Sequence, residues 1–360
     1  MCEIDNQRVN MTEETNRVFE IVEYPEGETP DRECFELQEE PVPELTDDDQ
    51  VLVRTLYLRM DPGSRSKMVP PEDTPYEDSW AGDESVGSGG IGEVRETTHA
   101  DFSVGDIVVG RLRWADYDVL TDDDLEEVDL DSAPIRAKLH VLGHTGRVAY
   151  VGMTEIADLQ EGETVVVSSA AGSVGSIASQ IATIYDCRVI GIAGTDDKID
   201  YLVNELGIDE GINYKTTDDI QGDLAEICPD SVDVYYDNVG GEISDAVMNE
   251  MNTHGRIVQC GRIALINAEG GDRPTGPRHE GLYIKKRLRR EGFVVDDHEE
   301  LYPEAESMLE EWYTNDQLQH RETIVEGLEN TPDAFIGLFE GDGIGKTLVE
   351  VSKPPGERND

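Results

Sequence analysis

The stretch Thr164-Val-Val-Val-Ser-Ser-Ala-Ala-Gly-Ser-Val-Gly175 sets two glycines directly behind a β-branched run. Binding a diphosphate calls for this arrangement. Gly172 lets the backbone come close to a pyrophosphate, and Gly175 lets the next helix pack against the strand. The helix start at Ser173 and Val174 offers free N–H groups and a positive dipole end. Ile177, Ile181 and Ile184 follow at helical spacing. Ala170 stands where the first glycine of such a motif usually lies, and taken alone the pattern equally describes an ordinary tight turn. A second group would read the ribose. An NAD site usually ends its second strand in an acid that takes the ribose diol. Here that strand ends in Ala193-Gly194-Thr195, which leaves room for a 2′-phosphate. Lys198, one helical turn on, can supply the matching charge, or is a solvated helix lysine. Asn238 follows another strand and precedes Gly240-Gly241, at the sheet edge where ligands bind, or is a plain turn asparagine.

These groups need a parallel sheet to hold them, and the chain supplies its pattern. From 141 on, strands and helices alternate. A helix is expected over 143–156, a strand over 164–168, then a helix from about 174. A strand over 187–193, a helix over 196–206 and strands over 212–215, 232–238, 255–261 and 290–295 follow. Such alternation predicts an α/β, doubly wound Rossmann sheet with helices on both faces. Residues 1–140 read as β-rich, with strands over 50–59, 87–95 and 102–110 and a turn at Met60-Asp-Pro-Gly63. The proline-rich, acidic stretch 68–82 is expected to be a loop over a site. Residues 321–352 read as strand, short helix and strand, and return to the first domain. The domains expected are therefore 1–140, 141–315 and 316–360. The tail after Lys353 is expected to fray.

The 360 residues carry 80 acidic and 29 basic side chains, a formal charge of −51. Clear strands and glycines between the acids point to a folded protein with an acidic coat rather than a disordered one. A coat of this charge repels itself in dilute buffer and is screened at molar salt, which suits the cytosol of an extreme halophile. It argues against nucleic acid and anionic membrane as partners. No apolar run approaches a membrane span, and the first residues show no secretory pattern. Cys2, Cys34, Cys187, Cys228 and Cys260 are scattered, which suits a reducing compartment and small buried side chains.

Several stretches then match one pattern in order: Tyr57-Leu-Arg-Met-Asp-Pro62 with Arg65, Val141-Leu-Gly-His-Thr-Gly146, the 162–175 turn, Ile212-Asn-Tyr-Lys215, Tyr236-Asp-Asn-Val-Gly-Gly-Glu242 and Cys260-Gly261. Over nearly its whole length the chain resembles the zinc-free branch of the medium-chain dehydrogenase/reductase superfamily. Within it the chain is similar to the prostaglandin reductases and 2-alkenal double-bond reductases. The resemblance implies a Rossmann domain inserted into a GroES-like β-rich domain, with a cleft between them. It implies NADP as cofactor, an enone or enal as substrate, reduction of the carbon–carbon double bond, and a homodimer joined through Rossmann edge strands. Lys198 and Tyr214 would contact the 2′-phosphate, although Tyr214 could equally be core. Asn238, Cys260, Gly261 and Arg262 would flank the cofactor. Phe293 and Val295 match a stretch touching the same region, or are core packing. No dense cysteine set or Cys/His spacing for zinc is present, so no metal is expected.

Three positions depart from the family. Ile266 and Gly63 stand where relatives carry tyrosines, and Gly343 where they carry a cofactor-contacting asparagine. With the oxygen donor at 266 missing, Tyr57 is the remaining side-chain candidate to stabilise an enolate, unless it is a buried strand tyrosine. A quinone reductase of the same superfamily and a non-catalytic NADP-binding sensor are the alternatives.

Overall fold

Alternating apolar residues make the first part of the chain strand. The computed structural model describes residues 15–25, 27–69, 80, 86–121, 125–128, 133–268 and 274–355. Its strands here are β1 (Thr15–Ile21), β2 (Phe35–Pro41), β3 (Gln50–Arg59), β4 (Gly87–Thr97), β5 (Ile107–Arg113), β6 (Tyr117–Thr121) and β7 (Glu126–Glu127). Beyond them come α1 (His144–Val151), β8 (Thr164–Ser168), α2 (Ser173–Ile184), β9 (Arg188–Ala193), α3 (Asp196–Asp200) and β10 (Glu210–Asn213). Then follow α4 (Ile220–Ile227), β11 (Val232–Asp237), α5 (Gly241–Glu250), β12 (Met251–Gln259), α6 (Glu280–Lys286), β13 (Arg289–Gly292), α7 (Tyr302–Thr314), β14 (Glu322–Glu326), α8 (Thr331–Glu340) and β15 (Lys346–Glu350).

Two larger sheets result. The first runs β14-β15-β3-β4-β5-β7, with β6 also on β3. The chain's end thus returns to its beginning: β15 pairs antiparallel with β3, Tyr57 opposite Glu350. Behind this sheet Trp80, Trp114, Phe35 and Phe335 stack edge to face and tilted, with centroids 5.4–6.4 Å apart. The second sheet is parallel throughout, in the order β10-β9-β8-β11-β12-β13. Val165, Val166 and Val167 of β8 are wholly buried at its centre, as a strand covered on both faces requires. The strand order reverses between β8 and β11, and the crevice at their carboxyl ends is where such sheets bind ligands.

Several expected boundaries move. β10 ends at Asn213 and β13 at Gly292, so Tyr214 and Phe293–Val295 lie beyond strand ends, on the ligand side of the sheet. β12 begins at Met251, four residues before its expected start. The helix expected over 143–156 narrows to α1 followed by a wider turn over 152–156. At that junction a Cβ on Gly152 would lie 2.6 Å from the Tyr236 hydroxyl, so only glycine admits the tyrosine. Of the loop expected over 68–82, only Met68, Val69 and Trp80 are among the described residues, as is the tail only to Pro355.

Candidate active site

The turn after β8 has the geometry its glycines suggested. Ser169 takes a left-handed conformation at φ 49°, and Gly172 donates its N–H to Ser169 O at 2.9 Å. A Cβ on Gly175 would sit 2.2 Å from Ser169 O, so any side chain there would push α2 off the strand. At Gly172 a Cβ would crowd Ser169 Oγ at 2.9 Å. Val174 begins the helix and packs on the Rossmann core. The Ser173 hydroxyl is buried with no hydrogen-bond partner in the protein, while His140 Nε2 lies 3.0 Å from Ser173 O behind it. An orphaned hydroxyl at the start of a 12-residue helix, above a glycine cradle, fits a bound phosphate. Burial drives His140 down to about 4, so the ring supporting this turn is neutral.

A cationic corner lies at the end of β9. A Cβ on Gly194 would meet the Tyr214 ring at 3.1 Å and Lys215 Cε at 3.3 Å, so both side chains lie over this glycine. Tyr214 is 36% exposed, which sets aside the core alternative. Lys198 Nζ donates to Gly341 O at 2.6 Å. Burial lowers the Lys198 pKa, and Lys215 lowers it further. Two neighbouring lysines, with the charge of Lys198 disfavoured by Lys215, beside an exposed tyrosine fit a doubly negative 2′-phosphate. Near the strand end Asp196 accepts from Asn213 Nδ2 at 2.7 Å, while Asp342 favours the charged form of Lys198. Sequence reasoning missed Lys215, although it ends the same Ile-Asn-Tyr-Lys stretch as Tyr214.

At the switch point, Asn238 donates its side-chain amide to Ser168 O at 2.8 Å and its backbone N–H to Ser168 Oγ at 3.0 Å. Its side-chain oxygen, Oδ1, has no donor among the described residues, while its backbone carbonyl accepts from Ile263 N at 3.4 Å. Asp237, also unforeseen, builds this turn from full burial. It accepts from Tyr235 Oη, Val239 N and Gly240 N at 2.8–3.0 Å and from Arg290 at 3.1 Å. Gly261 lets the end of β12 close on the end of β11, since a Cβ there would be 2.7 Å from Asn238 O. Burial pushes the Cys260 thiol up to about 11, so it is a thiol and not a nucleophile at neutral pH. Arg262 faces a separate cavity of about 590 Å³ beside α5, with Cys260, Gly261 and Arg290. Phe293 is half-buried against the Rossmann core, and Val295 is buried at 4% exposure.

The cleft between the sheets is a cavity of about 860 Å³. Arg59 and Asp61 from the end of β3, Gly63, His144, Arg147 and Glu306 contribute to its walls. Lys346 of β15 is 1% exposed; its ammonium donates to Met60 O at 3.1 Å and to the Asp61 carboxylate. Arg59 Nε is 3.0 Å from the other Asp61 oxygen. Burial opposes ionisation of Asp61, but Arg59 and Lys346 outweigh it and hold its pKa well below the usual carboxylate range. Burial, then Arg59, drives His144 down to about 4. Arg65 donates to Asn267 Oδ1 at 3.1 Å, tying the segment of Ile266 to the β domain. Arg65 carried no role in the sequence reading beyond its place in a motif.

Tyr57 does not reach this cleft. Its side chain is 2% exposed among Leu56, Ile91, Leu139 and Leu348, and its hydroxyl is 3.1 Å from Glu350 Oε2. The pairing of β3 with β15 holds it there, so the buried-tyrosine alternative describes it and the enolate-donor role does not. Gly343 takes φ 78°, and a Cβ there would lie 2.8 Å from Thr323 Oγ1. Gly345 joins the same loop to the phosphate turn, donating to Ala171 O at 2.8 Å. Among the described residues, no group of three or more His, Cys, Asp and Glu side chains could hold a metal ion, and no helix is long and apolar enough to cross a membrane.

Comparison with known proteins shows the family to which the chain is similar. The family described as "N-terminal domain of oxidoreductase" matches residues 17–128, and the one described as "Zinc-binding dehydrogenase" matches residues 173–311. A Bacillus subtilis (strain 168) protein, YfmJ, carrying the name of an NADP-dependent oxidoreductase, is 47% identical over 93% of this chain and 98% of its own. The NADPH-dependent curcumin reductase of Escherichia coli (strain K12) is 37% identical over 94% of this chain and 97% of its own. The crystal structure of CurA in complex with NADPH from Vibrio vulnificus superposes with a TM-score of 0.86 at 34% identity, covering 94% of this chain and 100% of that one.

Proposed function

Because the chain belongs to the zinc-independent branch of the medium-chain dehydrogenase/reductase superfamily, we propose that it is an NADPH-dependent reductase of the carbon–carbon double bond in α,β-unsaturated aldehydes and ketones. The observation that carries the cofactor choice is the corner of Lys198, Lys215 and Tyr214 over Gly194, at a strand that ends in Ala193 rather than in an acid. When bound, the reduced nicotinamide supplies a hydride. The chain's residues do the rest. Gly172, Ser173, Val174 and Gly175 receive the diphosphate on backbone amides and one hydroxyl. Gly194 leaves room for the ribose phosphate held by the two lysines and the tyrosine. Asn238, Cys260 and Gly261 border the nicotinamide half, with Arg262 and Phe293 at its margins. The cleft lined by Arg59, Asp61, Gly63 and His144 holds the substrate away from bulk water.

Three further features belong to this proposal. The substrate is a small molecule. The outer strand β13 is exposed along Arg289–Gly292 and, among the described residues, pairs on one side only, so a homodimer joined at its other edge is the expected assembly. The charge of −51 supports reading the chain as a halophilic enzyme, in the cytosol, that works in molar salt.

Following NADPH consumption in molar KCl with a panel of enals, enones and quinones tests the reaction. Turnover of enals and enones well above quinones is expected. Turnover confined to quinones would replace the substrate class, and no turnover with any of them would overturn the proposal. Light scattering after gel filtration in the same buffer reads the assembly, where a monomer would contradict it.

A further inference from the structure

His144 has no role in the cofactor site, yet it stands in the cleft wall with no side-chain hydrogen bond of its own among the described residues. It is the first residue of α1, and the turn before it is rigidly set. A Cβ on Gly143 would lie 2.0 Å from Lys138 O, and one on Gly146 would lie 2.0 Å from Val141 O. The backbone therefore has little freedom, and the imidazole is delivered into the cleft wall. Charged groups from both halves of the molecule act on it. Arg59 and Asp61 come from the β domain, and Asp296 follows the last strand of the Rossmann sheet. The ring thus lies in the cleft wall within electrostatic reach of both halves.

Two other cleft cations are held in part by ion pairs within the protein. Arg59 is paired with Asp61, and Arg147 is 3.1 Å from Glu306 and stacked on the Tyr302 ring at 4.4 Å. The other well-buried histidines also spend a ring nitrogen on the protein. His140 uses Ser173 O at 3.0 Å, His279 uses Asp245 at 2.7 Å and His320 uses Glu322 at 2.8 Å. Neither nitrogen of His144 has a hydrogen-bond partner among the described residues. Ile266 and Gly63 bring no hydroxyl to the cleft, and Tyr57 is bound elsewhere.

We propose that the His144 imidazole donates the hydrogen bond that holds the substrate carbonyl oxygen as it gains negative charge, and so selects alkenes conjugated to a carbonyl. It presupposes the enone reduction proposed above. Once the β-carbon has accepted the hydride, the alkene electron pair shifts to form a double bond between the α-carbon and the carbonyl carbon. The carbonyl π pair moves onto oxygen. The N–H of His144 hydrogen-bonds this enolate without giving up its proton. Water then protonates the α-carbon, the carbonyl re-forms, and the hydroxide left is neutralised by solvent. An alkene without the carbonyl would have no oxygen for the imidazole to hold.

The test compares wild type with His144→Phe and His144→Gln in molar KCl. NADPH affinity by fluorescence and the melting temperature establish that each variant is folded. His144→Phe should lower kcat/KM on an enone on the order of 100-fold, mainly through kcat, as loss of one oxyanion donor does. His144→Gln, which keeps an N–H donor, should recover most of it. Binding of para-nitrophenolate, an enolate mimic, to the NADP+ complex should weaken in the same order. Phenylalanine values within twofold of wild type in both assays would overturn the proposal. If wild type binds NADPH but reduces no enone, the reaction class fails by itself, and phenolate binding alone decides: weakening in His144→Phe keeps the oxyanion role, and no change removes it.

Discussion

The phosphate turn and the substrate cleft are built in opposite ways. The turn is local: Ser169, Gly172, Ser173 and Gly175 lie within seven residues and act through backbone. The cleft is assembled from afar, since Lys346 reaches Asp61 across 285 positions and Arg65 reaches Asn267 across 202. A local device needs only the right residue types in the right order, and it tolerates change around it. A distant device needs the whole fold in place before its charges can meet. The cofactor half therefore depends on steric room, whereas the cleft depends on paired buried charge.

Lys346→Met probes the distant half most severely. It removes one of two cations around a buried carboxylate and should cost about 3–5 kcal/mol in denaturant unfolding. A cost below about 1 kcal/mol would mean that Arg59 alone suffices and that the long-range pair is incidental. Gly175→Val probes the local half. A side chain 2.2 Å from a backbone oxygen should cost about 3 kcal/mol and abolish NADPH binding. Unchanged affinity would show that the turn is loose.

The histidine beneath the turn makes the same half sensitive to acid. His140 is lowered in the folded chain from 6.5 to about 4, chiefly by burial. The unfolded chain therefore binds the extra proton first. The stability linked to the neutral ring is complete above pH 6.5 and is lost as pH falls toward 4, up to about 3 kcal/mol. His140→Gln cannot titrate and should flatten that limb of the stability–pH curve relative to wild type; an equally steep limb would remove His140 from the account. The smallest effect expected is that of Tyr57→Phe. Losing a hydroxyl bonded to Glu350 should cost about 1 kcal/mol of stability and leave kcat/KM unchanged. A large loss of kcat with stability intact would return Tyr57 to the active site.

This contrast also explains what the sequence made legible. The parallel sheet, its strands and the glycine turn are written in local patterns, and the observed strands fall within a few residues of their expected places. Tyr57 was misjudged because a strand pattern does not say which partner its hydroxyl meets, and β15 lies almost 300 residues away. Lys346, Arg65 and Asp237 were passed over for the same reason: each stands in a recognisable stretch, but its partner comes from folding. Helix α7 was missed for a chemical reason. Its buried stripe, Ala305, Leu309 and Trp312, is set among Glu304, Glu306, Glu310 and Glu311, and the dense acid hides the period. Lys215 was visible beside Tyr214, but only the end of β10 at Asn213 shows both side chains free to turn over Gly194.

The central claim is that Lys198, Lys215 and Tyr214 form a seat for the phosphate that distinguishes NADPH from NADH. Fluorescence titration of the wild-type chain with both nucleotides in molar KCl measures it directly. NADPH should bind on the order of 100-fold more tightly, about 2.7 kcal/mol, and Lys198→Ala with Lys215→Ala should erase most of that difference while leaving NADH unchanged. Equal affinity of the wild type for the two nucleotides would contradict the account.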